Sequence, residues 1–345
     1  MRTEDFLREI TALKGLSGDE GLVSAFVAEA FAPYCDEVKV DGMFNVIARK
    51  KGSGPKVMFA AHLDEIGLMV VAIEEDGSLR LGQVGGVDPR ILPGQRVWVY
   101  GRKKLLGIIG AKAPHLLSEE ERAKNYKRED LYVDLGMGAA KVKELVHIGD
   151  QVQLEHRYTA LQNSRASVKT CDDRACVAMM FEALQQLKNL RHEADLYFVA
   201  TSQEEVGSRG AGTGAFALDP DYAVALDVCH ADTPGAPGWR THKPDSLVAS
   251  MGPYIHPVLR SKLTETAQEN NITLQTAVVP RYTSTDADEI GESRSGVPTA
   301  LLELPLKYMH TTVETLDTKV LKEGGRLLAQ FAARVNEGWE DELWT

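Results

Sequence analysis

A block of short β-type segments interrupts a chain that otherwise alternates apolar strands with helices. Before about Gly77 and after about Ser164, strand-like runs such as KVMFAAHLD and DLYFVAT accompany helical patterns such as DDRACVAMMFEALQQLKNL. This alternation predicts an α/β sandwich around a central, mostly parallel sheet flanked by helices. The block itself, with runs such as QRVWVYG and LLGIIGAK punctuated by Gly, Pro and Asp, predicts a small β-barrel. We therefore expect one α/β domain made of residues 1–74 and 164–345, with residues 75–163 inserted into it.

Length, charge and cysteine usage narrow the class of protein further. The 345 residues are more than one compact core usually holds, which agrees with an inserted domain. The net charge of −11 disfavours a nucleic-acid or anionic-membrane partner. No apolar run is long enough to span a bilayer, and the amphipathic start MRTEDFLREITALKG lacks an apolar signal core. The four cysteines show neither zinc-type pairing nor a disulfide framework. We expect a cytoplasmic protein that binds neither nucleic acid nor membrane.

Polar side chains follow several of the predicted strands at the point where each strand ends. Open α/β sheets bind ligands beyond the carboxyl ends of their strands, so these positions would converge on one edge. They are His62 and Asp64 after KVMFAA, Glu204 and Glu205 after DLYFVATSQ, Asp227 after YAVAL, His310 after TALLELPLKYM, and Asp172 with Asp173 at the start of the long helix.

Each of these residues alone has an ordinary structural explanation. A single histidine is commonly a hydrogen-bonded core residue, an aspartate that opens a helix commonly caps it, and an adjacent glutamate pair is commonly solvated. Taken together, several carboxylates at one strand edge repel one another unless a positive charge lies among them. Two histidines with carboxylates suit a divalent ion, and zinc, cobalt and manganese are the candidates.

Six segments give the chain a resemblance to a known family. They are AHLDEIG, CDDR, TSQEEVGSRGA, LDVCHADTPG, STDADEI and KYMHTTVE. In this order, and with the β-rich insertion between the first two, they resemble the tetrahedral aminopeptidases, also called glutamyl aminopeptidases or cellulase M, which are dinuclear metallopeptidases of clan MH. The resemblance covers nearly the whole chain. It implies a zinc-peptidase-like sandwich with an inserted, PDZ-like β-barrel.

The resemblance also implies two divalent metal ions per subunit, zinc first, with cobalt or manganese as alternatives. The implied ligands are His62 and Asp227 for one ion, Glu205 and His310 for the other, and Asp172 as the bridge between them.

Two further carboxylates have implied roles in catalysis. Asp64 would orient the imidazole of His62 from the side opposite the metal. Glu204 would act as general base toward a water that bridges the two ions, and would then protonate the leaving amine. Asp173 and Arg174 could form a structural ion pair or take part in catalysis.

The implied activity is release of N-terminal residues from short peptides by a homo-oligomer, specifically a dodecamer. A deacylase or dipeptidase of the same metal clan is the alternative. An endoglucanase is a weaker one, because that chemistry needs two carboxylates flanking a sugar, not paired histidines. The four tryptophans, which could form sugar platforms, also lie away from these motifs. A non-catalytic binding protein would not need such a complete set of ligands.

Overall fold

The computed structural model describes residues 1–336 and 338–339. The chain forms two compact units. The first unit contains Met1–Asp64, Tyr158–Met309 and the segment that starts at Val313. The second contains Glu65–Arg157 and His310–Thr312. The second unit begins before residue 75, the bound expected from sequence, because the strand Gly67–Ile73 pairs with barrel strands.

Helices and strands alternate over the first unit, and short strands follow one another in the second. The α-helices are α1 (Thr3–Ala12), α2 (Gly21–Phe31), α3 (Glu119–Arg122), α4 (Ala139–Leu145), α5 (Cys171–Leu187), α6 (Arg209–Leu218), α7 (Pro257–Glu269), α8 (Asp286–Gly291) and α9 (Thr318–Arg334). The strands are β1 (Glu37–Val40), β2 (Val46–Lys50), β3 (Lys56–His62), β4 (Gly67–Ile73), β5 (Leu79–Val84), β6 (Arg96–Tyr100), β7 (Lys104–Ala111), β8 (Leu131–Asp134), β9 (Gln151–Leu154), β10 (Thr159–Ala160), β11 (Arg165–Ser167), β12 (Asp195–Thr201), β13 (Tyr222–His230), β14 (Leu247–Met251), β15 (Leu274–Val278), β16 (Thr299–Leu306) and β17 (Thr315–Asp317).

An eight-stranded sheet forms the centre of the first unit, in the order β1-β2-β12-β3-β13-β16-β14-β15. The four central strands β12, β3, β13 and β16 are mutually parallel, and so are β14 and β15. The pairs β1-β2, β2-β12 and β14-β16 are antiparallel. The predicted α/β fold with a mostly parallel sheet is therefore confirmed. A small sheet of β10, β11 and β17 accompanies it.

The strand β3 shows how the large sheet is buried on both faces. Val57, Phe59 and Ala61 belong to the apolar core that includes α1, α5 and α9. Met58 and Ala60 belong to a second apolar core on the opposite face, together with side chains of α6 and α8. Because successive residues of a strand point to opposite faces, a strand covered on both sides becomes a continuous apolar run. The apolar run KVMFAA has this pattern, and it is the basis on which the sequence predicts strand β3.

The second unit contains a closed, antiparallel six-stranded barrel in the order β4-β5-β8-β7-β6-β9. Its interior is an apolar cluster that includes Val70, Val97, Val99, Val133 and Val152, all fully buried. Pairing of β4 with β9 closes the barrel, so these strands leave no open edge at that seam. The predicted small barrel is confirmed, and its PDZ-like character stays a prediction.

In the described part of the chain, every helix is too short or too polar to cross a membrane.

Candidate metal centre

The parallel strands of the first unit bring several polar residues to one edge. Strand β3 lies between β12 and β13 and ends at His62. Strand β12 ends at Thr201, and Glu204 with Glu205 lies in the short 3-10 turn that follows. Asp227 lies within β13, near its carboxyl end. Because these three strands run in the same direction, their carboxyl ends meet at the edge where α/β sheets bind ligands.

The buried imidazole of His62 lies among carboxylates. Its Nε2 atom is 3.1 Å from Asp172 Oδ1 and 3.8 Å from Glu204 Oε2. Its other nitrogen, Nδ1, is 3.4 Å from Asp64 Oδ1 and 3.3 Å from the Asp64 backbone carbonyl. A metal-binding histidine usually presents one nitrogen to the ion while a carboxylate or carbonyl holds the other. His62 has this arrangement, with Asp172 and Glu204 on the Nε2 side.

Asp64 is fully buried and accepts hydrogen bonds from three donors. The backbone N–H groups of Glu204 and Glu205 donate to it at 2.9 and 3.2 Å, and the Ser17 hydroxyl donates at 2.6 Å. Burial alone would raise the pKa of Asp64, but His62 and these donors lower it below its ordinary value. Asp64 is thus an ionised carboxylate that joins the His62 ring to the turn containing Glu204.

Two overlapping groups of side chains could hold a metal ion. The ligand atoms of His62, Asp172 and Glu205 lie within 4.8 Å of one another, and so do those of His62, Asp173 and Asp227. Four of these five residues are among the predicted ligands or bridge. The structure adds Asp173, which the sequence left without a fixed role.

The protonation of these residues reflects the crowding of negative charge. Burial raises the pKa of Asp227 well above its ordinary value, and the charges of Asp173 and Asp172 raise it further. Burial also raises the pKa of Glu204 to about 8, against the lowering effect of His62. Burial would lower the pKa of His62, yet the surrounding carboxylates raise it well above 6.5. The three pKa shifts together describe carboxylates crowded in a buried site, an environment in which a bound cation would stabilise the ionised carboxylates.

The start of α5 presents Asp172 to this edge. Asp172 and Asp173 have non-helical backbone angles, and the Asp172 N–H donates to the buried carboxylate of Glu314 at 3.2 Å. The neighbouring guanidinium of Arg174 is fully buried and donates to backbone carbonyls. These belong to Leu63 at 2.7 Å, Leu13 at 2.7 Å, Ile10 at 2.9 Å and Gly15 at 3.3 Å. Arg174 therefore ties the end of α1 to the end of β3.

His310 belongs to the second compact unit. There its Nδ1 atom lies 3.0 Å from the Gly86 carbonyl oxygen, and its backbone is left-handed with a φ of 61°. A non-glycine residue in this conformation is uncommon and is held by its surroundings. Among the described residues, neither of the two groups that could hold a metal ion includes His310. The role of His310 as a ligand stays a prediction.

Asp286 is a buried carboxylate near the site that the sequence left without a role. It accepts a hydrogen bond from Thr201, and its Oδ1 atom has no hydrogen-bond partner among the described residues. Burial raises the pKa of Asp286 to about 6. The segment STDADEI contains this residue, but an aspartate at the start of the short helix α8 has the same pattern as an ordinary helix-start residue.

Comparison with known proteins places this chain in a family. The model of the M42 glutamyl aminopeptidase family matches residues 44–327. The chain belongs to the M42 glutamyl aminopeptidase family. This M42 chain is 38% identical over 321 residues to the lysyl aminopeptidase of Pyrococcus furiosus, covering 91% of the chain and 92% of that relative.

Solved structures of similar proteins agree with this assignment. A TET aminopeptidase from a marine sediment archaeon (Thaumarchaeota archaeon SCGC AB-539-E09) has a TM-score of 0.94 at 30% identity, covering 99% of this chain and 98% of that one. The Pyrococcus horikoshii TET1 peptidase, which can assemble into a tetrahedron or a large octahedral shell, has a TM-score of 0.85 at 29% identity, covering 97% and 100%. The resemblance inferred from the six motifs is confirmed, and this M42 chain is an aminopeptidase, a hydrolase of peptide bonds.

Proposed function

We propose that this M42 aminopeptidase uses a dinuclear metal site at the carboxyl edge of its central sheet to release N-terminal residues from short peptides. One observation supports this most strongly. His62 belongs to two overlapping groups of possible ligands, one with Asp172 and Glu205 and one with Asp173 and Asp227. Together the two groups offer one imidazole and four carboxylates, more ligands than one tetrahedral zinc ion takes, which favours a second ion beside the first.

The chemistry of the donors fits divalent metal ions. Imidazole and carboxylate ligands suit zinc, and also cobalt and manganese. Burial raises the pKa of Asp227 and neighbouring carboxylates raise it further, while carboxylates raise the pKa of His62 against the effect of burial. Cations would relieve this repulsion directly, whereas protons relieve it only by neutralising the carboxylates.

We assign the ligands as the family resemblance implies. His62 and Asp227 would bind one ion, Glu205 and His310 the other, and Asp172 would bridge them. When bound, the two ions would hold and acidify the attacking water and polarise the peptide carbonyl. Zinc is the first candidate, with cobalt and manganese as alternatives. The position of Asp173 in one of the two groups makes it an additional candidate ligand.

Glu204 is proposed as the general base. Its Oε2 atom lies 3.8 Å from His62 Nε2, while Glu205, the next residue, belongs to a possible ligand group. Glu204 would accept the proton of the attacking water and then donate it to the leaving amine. Burial raises the pKa of Glu204, which makes the carboxylate a better proton acceptor, and nearby cations would moderate that rise. Asp64 would keep the His62 ring oriented through Nδ1.

We further propose self-association into a homo-oligomer, specifically a dodecamer, that acts in the cytoplasm on short peptides. The support is the high similarity over full length to a peptidase that can assemble into a tetrahedron. The barrel of the second unit, with its predicted PDZ-like character, is the proposed assembly element. An enclosed assembly would select substrates by size, which a metal site alone does not do.

A substrate panel tests the proposed activity. Purified, metal-loaded protein should hydrolyse aminoacyl-anilides in preference to dipeptides and release no product from N-acyl amino acids or carboxymethyl-cellulose. Glu204→Gln is the matched control, and its turnover of aminoacyl-anilides should be lower by ~10²–10⁴-fold, the usual contribution of a general base. Turnover of N-acyl amino acids without aminoacyl-anilides would instead identify a deacylase of the same clan, preference for dipeptides would identify a dipeptidase, and release of sugar would identify an endoglucanase.

A further inference from the structure

Two buried carboxylates hold the backbone of the turn that contains Glu204. The N–H groups of three consecutive residues donate to them. Gln203 donates to Glu20 Oε1 at 3.1 Å, while Glu204 and Glu205 donate to the two oxygens of Asp64 at 2.9 and 3.2 Å. Consecutive backbone N–H groups that converge on anions define a rigid local conformation. Asp64 already has a role through His62, whereas Glu20 has none.

Glu20 stands at the start of α2 but does not cap it. It occupies the N-cap position, and its side chain makes no capping hydrogen bond. Instead Glu20 Oε1 accepts the N–H of Gly18 at 2.8 Å together with that of Gln203. The ordinary explanation of a glutamate before a helix therefore does not account for where this side chain points.

The buried environment of Glu20 is energetically unfavourable for a carboxylate. The residue is fully buried, and its Oε2 atom has no hydrogen-bond partner among the described residues. Burial raises the pKa of Glu20 to about 7, against the lowering effect of the Gly18 N–H. A buried carboxyl oxygen without a partner costs free energy, so the contacts of the other oxygen must be important for this position to persist.

The partner of Glu20 is itself in an unusual conformation. Gln203 has a φ of 58°, in the left-handed region, directly before Glu204. A non-glycine residue stays there only when its surroundings hold it, and such residues concentrate at functional sites. The hydrogen bond from the Gln203 N–H to Glu20 is one contact that holds it.

We propose that Glu20 is a positioning residue for the general base: it fixes Gln203 and so sets the direction from which the Glu204 carboxylate enters the site. This inference rests on the proposed role of Glu204. Ser17, three residues earlier, donates to Asp64. The short N-terminal segment 17–20 thus supports both carboxylates that hold the turn. The position of the proposed general base therefore depends on a segment that is distant in sequence from the proposed catalytic residues and metal ligands.

Three variants of the full-length, metal-loaded protein test this inference. Glu20→Ala removes the acceptor, and Glu20→Gln keeps a carbonyl oxygen that can accept the Gln203 N–H. Asp19→Ala is the matched control, because Asp19 is next to Glu20 in the sequence and its half-exposed side chain pairs with Lys14. The measurements are kcat, KM, bound metal, and amide hydrogen exchange of the peptide that contains residues 203–205.

In Glu20→Ala we expect kcat to fall about 10–100-fold, the usual effect of removing an outer-shell partner, with KM changed much less. Exchange of the 203–205 amides should become faster. Glu20→Gln should recover most of both losses, and Asp19→Ala should behave as the parent protein.

Unchanged exchange at residues 203–205 in Glu20→Ala would overturn the inference, as would a Glu20→Gln protein as impaired as Glu20→Ala. If Glu20→Ala does not fold, the comparison of Glu20→Gln with Asp19→Ala still decides it, because a carbonyl acceptor should keep those amides protected. The exchange measurement is independent of activity. Failure of the proposed function, seen as full turnover in Glu204→Gln, is therefore distinguishable from failure of the Glu20 inference.

Discussion

At the scale of one residue, Glu303 is a buried carboxylate that is not a proposed metal ligand, and its burial makes the stability of the protein depend on pH. It lies within β16, it is almost completely buried, and the Ser250 hydroxyl donates to it. Burial raises the pKa of Glu303 from 4.5 to about 7. Between these two pH values the folded protein keeps a proton that the unfolded chain releases. The contribution of Glu303 to stability is therefore complete below pH 4.5 and is lost as the pH rises to about 7.

We accordingly expect Glu303→Gln to stabilise the protein at about pH 8 and to change it little at about pH 5, where Glu303 is protonated. The upper bound on the gain is about 3 kcal/mol, because one unit of pKa corresponds to about 1.4 kcal/mol. Thermal unfolding of both proteins at the two pH values measures this. An equal difference between them at both pH values would contradict the prediction.

Residues of the candidate site differ in how far the sequence could predict them. His62, Glu204 and Asp227 could be found because each follows an apolar run in the sequence, at a point where burial alone does not require a polar residue. Glu20 and Asp286 could not, because each stands at a helix start, where an acidic residue has an ordinary explanation. Their hydrogen bonds to Gln203 and Thr201 join segments far apart in sequence, and periodicity contains no information about such contacts.

At the scale of elements, helix α6 begins in close contact with Ser202, which lies between strand β12 and the turn that contains Glu204. The Gly210 N–H donates to the Ser202 carbonyl at 2.9 Å, and the Asn45 side chain donates to the Gly210 carbonyl at 3.0 Å. A Cβ atom at Gly210 would overlap Asn45 and the Ser202 backbone, whereas one at Gly212 would meet Glu289 at an ordinary 3.4 Å. Within the segment GSRGAGTGAF, the close approach of the backbone to Ser202 and Asn45 therefore requires glycine at position 210, whereas position 212 has room for a Cβ atom.

We expect Gly210→Ala to destabilise the protein by about 1–3 kcal/mol, since overlap with backbone cannot be relieved by a rotamer change. Gly212→Ala, in the same helix, should be neutral or stabilising by up to about 1 kcal/mol, because alanine favours helix over glycine. Thermal unfolding of the two variants is the comparison. Equal stability of Gly210→Ala and Gly212→Ala would show that the close approach does not limit the fold.

The elements themselves were the most predictable part of the structure. Apolar runs buried on both faces identified central strands such as β3 and β12, and 3.6-residue periodicity identified α5. The start of the second unit was harder to predict. Strand β4 resembles the buried strands before it, and only its pairing with β5 and β9 assigns it to the barrel. Strand pairing between distant segments is a tertiary property that local composition does not specify.

At the scale of the whole molecule, the proposed assembly has a direct test. We expect light scattering of metal-loaded protein to give a mass about twelve times that of the 37.8 kDa chain. The reason is the full-length similarity to a peptidase that can assemble into a tetrahedron. A monomeric mass in fully metal-loaded protein would end the proposal. A stable dimer would remove the enclosed chamber while leaving self-association in place.

The central claim is that bound metal and the Glu204 carboxylate act together in peptide hydrolysis, and one paired measurement tests it. Bound metal and turnover of an aminoacyl-anilide are determined on the same samples of the parent protein and of Glu204→Gln. We expect two divalent ions per chain in both, with turnover lower in Glu204→Gln by ~10²–10⁴-fold, the usual contribution of a general base. Parent-level turnover in Glu204→Gln at equal metal content would contradict the account.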